Sequence, residues 1–281
     1  MSSKLFIIIT LTCMILKINS YCQELEDSDL LFHGTVIAVA ICEDGILFAS
    51  DSRSSFTLNE KYSNQVYAYI ENDRKIFEIG EYLIANSGLS MFNKKFMEDI
   101  IHKFNKVHRE KSNIETTFNN FFDFLKDEQN IPDSTLFIES DFIIAGYENS
   151  KPKIISQGKT GRMYQENIGH MIHSDTELPK FLNLSRDIKL TCKNLSPYME
   201  KGIYNLAEYR ADNKVGGPLE IIQITPLNDH ITLKSFQKNH FKNYKDMAKA
   251  ILTNKIEVKY IFPISEELLK KTLKEGIELG Y

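Results

Sequence analysis

Apolar, largely β-branched residues fill positions 36–41, and a second apolar run fills 46–49. Glu43-Asp44-Gly45 separates the two runs with turn chemistry, so they predict a β-hairpin whose strands are largely buried. The polar stretch 52–64 reads as a loop. Positions 66–70, 75–79 and 82–85 read as further strands, the last two joined around Gly80-Glu81. Asn86-Ser87-Gly88 closes this region.

The period then changes. Phe92, Phe96, Ile100, Ile101, Phe104 and Val107 recur at steps of three and four, and Phe118, Phe121, Phe122 and Leu125 do the same, predicting two helices. Pro132-Asp133 breaks the pattern. Positions 136–145, 153–156 and 162–165 read as strands, and 177–184 and 198–209 as helices. A late hairpin is predicted from 218–225 and 230–236 around Leu227-Asn228-Asp229, and the tail, 241–252 and 265–279, reads as helical. The order is strands, two helices, strands, a helix, strands. It predicts an α+β chain in which two sheets pack together with helices outside.

The first residues follow none of these patterns. Lys4 precedes an apolar run, 5–16, broken only by Thr10, Thr12 and Cys13; polar residues and the acidic stretch 23–29 follow. That pattern predicts a secretory leader. The run is short of the ~20 residues a transmembrane helix needs, and no later segment reads as a span. Cleavage after Ser20 and cleavage after Cys22 both fit. Lipid attachment to Cys22 is the lesser alternative, because Asn19-Ser20-Tyr21 matches a lipobox poorly. The expected organisation is a signal peptide over 1–22, a short propeptide over 23–34 and one domain over 35–281, in a secreted or periplasmic protein.

A net charge of −4 without a basic block gives no case for nucleic acid as a partner. Outside the leader two cysteines remain, Cys42 and Cys192. They could form one disulfide in an oxidising compartment or stay buried as thiols. No His, Cys and Asp spacing suggests a zinc site, and no cofactor is expected.

The chemistry centres on Thr35. Cutting the Gly34–Thr35 bond would give one residue both a hydroxyl nucleophile and a free amine to act as its base. That amine has an intrinsic pKa of ~8. A nearby ammonium would keep it neutral and polarise the hydroxyl. A carboxylate would hold the ammonium, and backbone amides would stabilise an oxyanion. Thr35, Lys75, Asp51 and the Asn86-Ser87-Gly88 turn supply these groups at the ends of successive predicted strands.

The same residues carry a resemblance. The run from Thr35 through the hairpin to Asp51-Ser52-Arg53 resembles the start of a mature proteasome β-subunit. Lys75-Ile76-Phe77-Glu78-Ile79 and the turn ending at Gly88 resemble that family's lysine strand and oxyanion turn. Ile143-Ile144-Ala145-Gly146-Tyr147, Tyr209-Arg210-Ala211-Asp212 and Gly216-Gly217 match later family motifs in order. The resemblance implies the four-layer αββα sandwich of the N-terminal nucleophile hydrolases. It implies Thr35 as nucleophile and base, Lys75 and Asp51 as a charge pair, Gly88 at the oxyanion and Asp212 near the amine. Arg53, Ser87 and Ser174 are the implied residues at the substrate edge, and Gly34–Thr35 is the self-cleaved bond. Departures are a longer loop between Arg53 and Lys75, and Val215 where a serine is usual. The function implied is a self-processing threonine peptidase or amidase acting on peptides or small amides, in an oligomer of its own copies. The alternative is a non-catalytic scaffold or assembly subunit left uncut.

Overall fold

The computed structural model describes residues 31–57, 66–92, 95–127, 140–182, 184, 188–210, 212–241, 243–263 and 265–278. The leader reading, the first part of the propeptide and the Pro132-Asp133 break lie outside them. The described chain is α+β, with antiparallel sheets and six helices among the described residues. The strands are β1 (Leu31–His33), β2 (Ile37–Cys42), β3 (Gly45–Ser50), β4 (Ser54–Thr57), β5 (Val66–Ile70), β6 (Ile76–Ile79), β7 (Tyr82–Gly88), β8 (Met91–Phe92) and β9 (Lys95–Phe96). Two helices follow, α1 (Met97–Val107) and α2 (Ile114–Asp127). Then come β10 (Ser140–Glu148), β11 (Lys151–Gly158), β12 (Gly161–Gln165), β13 (Met171–His173), α3 (Pro179–Leu182) and α4 (Cys192–Arg210). The chain ends with β14 (Glu220–Ile224), β15 (His230–Lys234), α5 (Tyr244–Leu252), β16 (Lys259–Tyr260) and α6 (Ser265–Glu278).

One five-stranded sheet runs β13-β2-β3-β14-β15 and another β12-β11-β10-β7-β6. Both are apolar on both faces, as the near-continuous runs at 36–41 and 46–49 require. Along β2, Ile37, Val39 and Ile41 join a cluster shared with Ile76, Leu83, Ala85, Ile143 and Ala145 of the other sheet. The alternate residues Ala38, Ala40 and Cys42 turn to the other side, among Leu195, Met199 and Ile203 of α4. On the second sheet, Ile84, Phe142 and Ile144 meet Phe104, Phe118 and Phe121 of α1 and α2. Strand side chains alternate between faces, so each strand serves two cores at once. The phenylalanines at helical spacing are packing residues, their rings meeting edge-on, as Phe104 does with Phe121 at 5.3 Å.

A further sheet, β1-β4-β5-β16, was not foreseen. Its second strand, β4, lies inside the stretch expected to be a loop. Ser54, Ser55 and Thr57 are fully buried there, so a polar sequence forms a core strand. The C-terminal helices cover this sheet: Met247 and Ile251 of α5 and Leu269 and Leu273 of α6 pack with Phe56, Tyr67 and Ile70. The fourth helix begins at Cys192, not at 198, and carries Pro197 inside. Its first N–H is capped from outside by Asp44 of the β2–β3 turn, at 2.7 Å. The expected helix 177–184 is a single turn, α3. No helix among the described residues is long and apolar enough to cross a membrane.

The two large sheets are also joined at their rim. Asn228, in the β14–β15 turn at φ 62°, accepts from the Tyr147 N–H at 2.7 Å and donates to the Tyr147 carbonyl at 2.9 Å. Asn228→Ala removes both bonds and is expected to lower stability by about 1–3 kcal/mol. Urea unfolding is the check, and an unchanged midpoint would show that the hairpin is held elsewhere.

Candidate functional site

Thr35 stands between β1 and β2, where the chain leaves one sheet for another. Gly34 before it has φ 133°, and a Cβ there would lie 2.6 Å from the Lys214 carbonyl oxygen, so only glycine fits. Its N–H donates to the Gly88 carbonyl at 3.3 Å. Thr35 itself has φ 145°. A β-branched residue rarely adopts that conformation, which costs on the order of 1–3 kcal/mol. Its Oγ1 is buried with no hydrogen-bond partner.

The surroundings hold this junction on several sides. The Thr35 carbonyl accepts from Ser87 Oγ at 3.1 Å, at the end of β7. The Val36 N–H donates to Asp51 Oδ1 at 2.9 Å, and the Ile37 N–H to Ser174 Oγ at 2.9 Å. Asp51 Oδ2 accepts from the Gly216 N–H at 2.7 Å. The fold therefore brings Asp51, Ser87, Gly88 and Ser174 together around the 34–37 segment. Gly88 meets Gly34 through its carbonyl in this form of the chain. Ser174 contacts the strand backbone, which is a bracing role.

Lys75 is only 2 % exposed, and its ammonium has three partners: Asp73 Oδ2 at 2.8 Å, Ser90 Oγ at 2.7 Å and Ser54 Oγ. Ser54 in turn donates to Asp73. The expected Asp51–Lys75 pair is not formed. Both Asp51 oxygens are taken by backbone N–H groups, while Asp73, two residues before Lys75, accepts from its ammonium. Nor does Lys75 hydrogen-bond Thr35, whose hydroxyl has no partner. Asp73, Ser54 and Ser90 were missed in the sequence. The i, i+2 spacing of Asp73 and Lys75 was the available signal. A small pocket borders this cluster, lined by Asp73, Asn86, Ser90, Phe77 and Phe96 among others.

Two other expected residues act locally. Arg53 donates to the Val215 carbonyl at 3.2 Å and Glu71 at 2.8 Å, and its guanidinium lies 3.9 Å above the Tyr69 ring. It braces the 215–216 turn and does not face open space. Glu71 is held below its ordinary value: burial opposes this, but Arg53 and Lys259 outweigh it. Asp212 accepts the Lys214 N–H of its own turn at 3.0 Å and lies 3.7 Å from Arg210. No bond links it to Thr35.

Asp51 is fully buried, and burial pushes its carboxyl up from 3.8 to about 6. The amides of Gly216 and Val36 and the charges of Lys75 and Arg53 work against that rise.

No family model and no curated protein matches the chain. Among solved structures it is similar to an Anbu (Gly-1) mutant from Hyphomicrobium sp. strain MC1, at 11 % identity and a TM-score of 0.51. The match covers 88 % of this chain and 97 % of that one. At that identity the likeness shows the fold alone, a mixed α+β arrangement of antiparallel sheets and helices.

The raised Asp51 carboxyl gives a signed pH effect. Folding favours its protonated form, so its contribution to stability is full below 3.8 and is lost as pH rises through about 6. Asp51→Asn should lower stability by about 1–3 kcal/mol, because Val36 and Gly216 donate to different oxygens and one of these becomes an NH2 that faces a donor. It should also remove that loss between pH 4 and 6. Urea midpoints across this range test both, and parallel curves for the two proteins would refute the assignment.

Proposed function

We propose that the chain is a self-processing N-terminal threonine hydrolase that cleaves amide bonds in peptides or small amides through an ester intermediate. The observation that carries this reading is the Gly34–Thr35 junction. A glycine that admits no side chain precedes a threonine at φ 145° whose buried hydroxyl has no partner. Strain at a bond that is due to break is released by breaking it.

In the first step Thr35 Oγ1 attacks the Gly34 carbonyl carbon. The C–N bond breaks, an ester forms, and the hydroxyl proton passes to the Thr35 nitrogen. Water then hydrolyses the ester, leaving a Gly34 carboxylate and a free Thr35 hydroxyl and amine. That amine takes the hydroxyl proton when Thr35 attacks a substrate carbonyl. Lys75 supplies positive charge beside it, on the carboxylate of Asp73. In the uncut chain the ammonium is fully engaged with Asp73, Ser54 and Ser90. This mechanism therefore requires it to exchange a serine for the Thr35 hydroxyl after the cut. Asp51 holds the head of β2 in place and takes no proton.

The likeness to the Anbu structure and the shared cluster between the two large sheets support the four-layer αββα arrangement for this reading. We read residues 1–22 as an export leader, 23–34 as the propeptide and 35–281 as the hydrolase domain. A second reading has its own support: an ammonium bonded to neither Thr35 nor Asp51 suits a non-catalytic scaffold that stays uncut.

Substitution at Thr35 separates the two. Thr35→Ala should leave the precursor intact and abolish amide hydrolysis, while Thr35→Ser should still process, followed by gel shift over time. Asp73→Asn should process and hydrolyse about a hundred-fold more slowly. A wild-type precursor that never shortens and cleaves no amide would favour the scaffold.

A further inference from the structure

At the far end of β2 from Thr35, the fold brings together two cysteines that are separated by most of the chain. Cys42 is the last residue of β2, and Cys192 the first of α4. Both are buried, and their sulfurs and an Asp44 oxygen lie within 4.8 Å of one another. We propose that Cys42 and Cys192 are a redox pair that closes into a disulfide, tying the strand that starts at Thr35 to helix α4.

The backbone around the pair is positioned without help from the sulfurs. The Glu43 N–H donates to the Leu190 carbonyl at 2.8 Å, and Asp44 caps the Cys192 N–H at 2.7 Å. Two segments are thus pinned on either side of the thiols, and the bond adds little new ordering in the folded chain. Cys42 and Cys192 share their apolar cluster with Ala40, Leu47, Leu195 and Met199.

The same three donors could be taken for a metal site, and the surroundings argue against it. A bound cation needs thiolates. The hydrogen bond with Cys42 and then burial push the Cys192 thiol far up, and Asp44 adds a further negative charge. Asp44 Oδ1 is already committed to the helix cap. A disulfide carries no charge, so the apolar setting accommodates it as it does two neutral thiols, and disfavours only the thiolates that a metal would need.

Closing the bond removes two protons and two electrons from the thiols. The electrons pass to an external disulfide of the glutathione class, which leaves as two thiols through a mixed-disulfide intermediate. Because both sulfurs are buried, the exchange takes place while the chain folds or opens locally. The bond joins the outer ends of two elements that both lead to the site. The strand begins beside Thr35. The helix runs to Arg210, which pairs with Asp175 at 2.7 Å, and the turn after it carries Lys214 and Gly216.

The test uses the full chain folded with oxidised glutathione. It is denatured, alkylated and digested, so that Cys13 and Cys22 are told apart by peptide. Linked peptides carrying Cys42 and Cys192 are expected. Dithiothreitol should release them and lower the thermal midpoint of the wild-type protein by roughly 10 °C. A Cys42→Ala/Cys192→Ala double variant should show no midpoint change with reductant. Full alkylation of both cysteines after oxidative folding would overturn the proposal. So would one equivalent of zinc retained through dialysis by the wild type and lost in the double variant. Neither readout depends on hydrolase activity, so the proposal stands or falls apart from the proposed function.

Discussion

The carboxylate of Asp51 holds this molecule's candidate site together. It is fully buried and receives two backbone N–H groups, one from Val36 at the head of β2 and one from Gly216 in a turn 165 residues away. Without it the two segments that enclose Thr35 would have unpaired amides in a dry interior, each a penalty of about 1–3 kcal/mol. With it, Gly34 is pressed so close to Lys214 that no side chain fits, and Thr35 is left at a backbone angle that a β-branched residue resists. The strain at the junction and the clamp that sustains it are one arrangement.

The lysine belongs to a second, separate network. Asp73, Ser54 and Ser90 satisfy every donor of the Lys75 ammonium, which is what a nearly fully buried charge requires. The pairing with Lys75 that the resemblance assigned to Asp51 therefore belongs to Asp73. Asp51 organises backbone, and Asp73 neutralises the ammonium. Cutting the chain would free an amine at Thr35 and change the electrostatics between these networks, which is where the catalytic and scaffold readings diverge.

Much of the fold was legible because burial on two faces leaves a plain record. The β2–β3 hairpin follows from two apolar runs around Glu43-Asp44-Gly45, and α1 and α2 follow from apolar residues at steps of three and four, although Phe92 and Phe96, expected in the first helix, lie in β8 and β9. What the sequence hid depends on distant partners. β4 is made of buried serines and threonine whose hydroxyls are satisfied across the fold, as Ser55 is by Asn213. The start of α4 is fixed by a cap from Asp44, and β13 and β16 are too short to leave a period. At the site, Thr35, Asp51, Ser87, Gly88 and Ser174 could be picked out and do gather. Asp73, the lysine's actual partner, was marked only by its i, i+2 spacing from Lys75, while the family pattern pointed to Asp51.

The mass of the mature chain bears most directly on the central claim that this junction is built to break. Intact-protein mass spectrometry of the purified wild-type protein should give a polypeptide that begins at Thr35, with the Gly34 side released. A mass that still includes Gly34 and the residues before it, in a folded protein, would contradict the account.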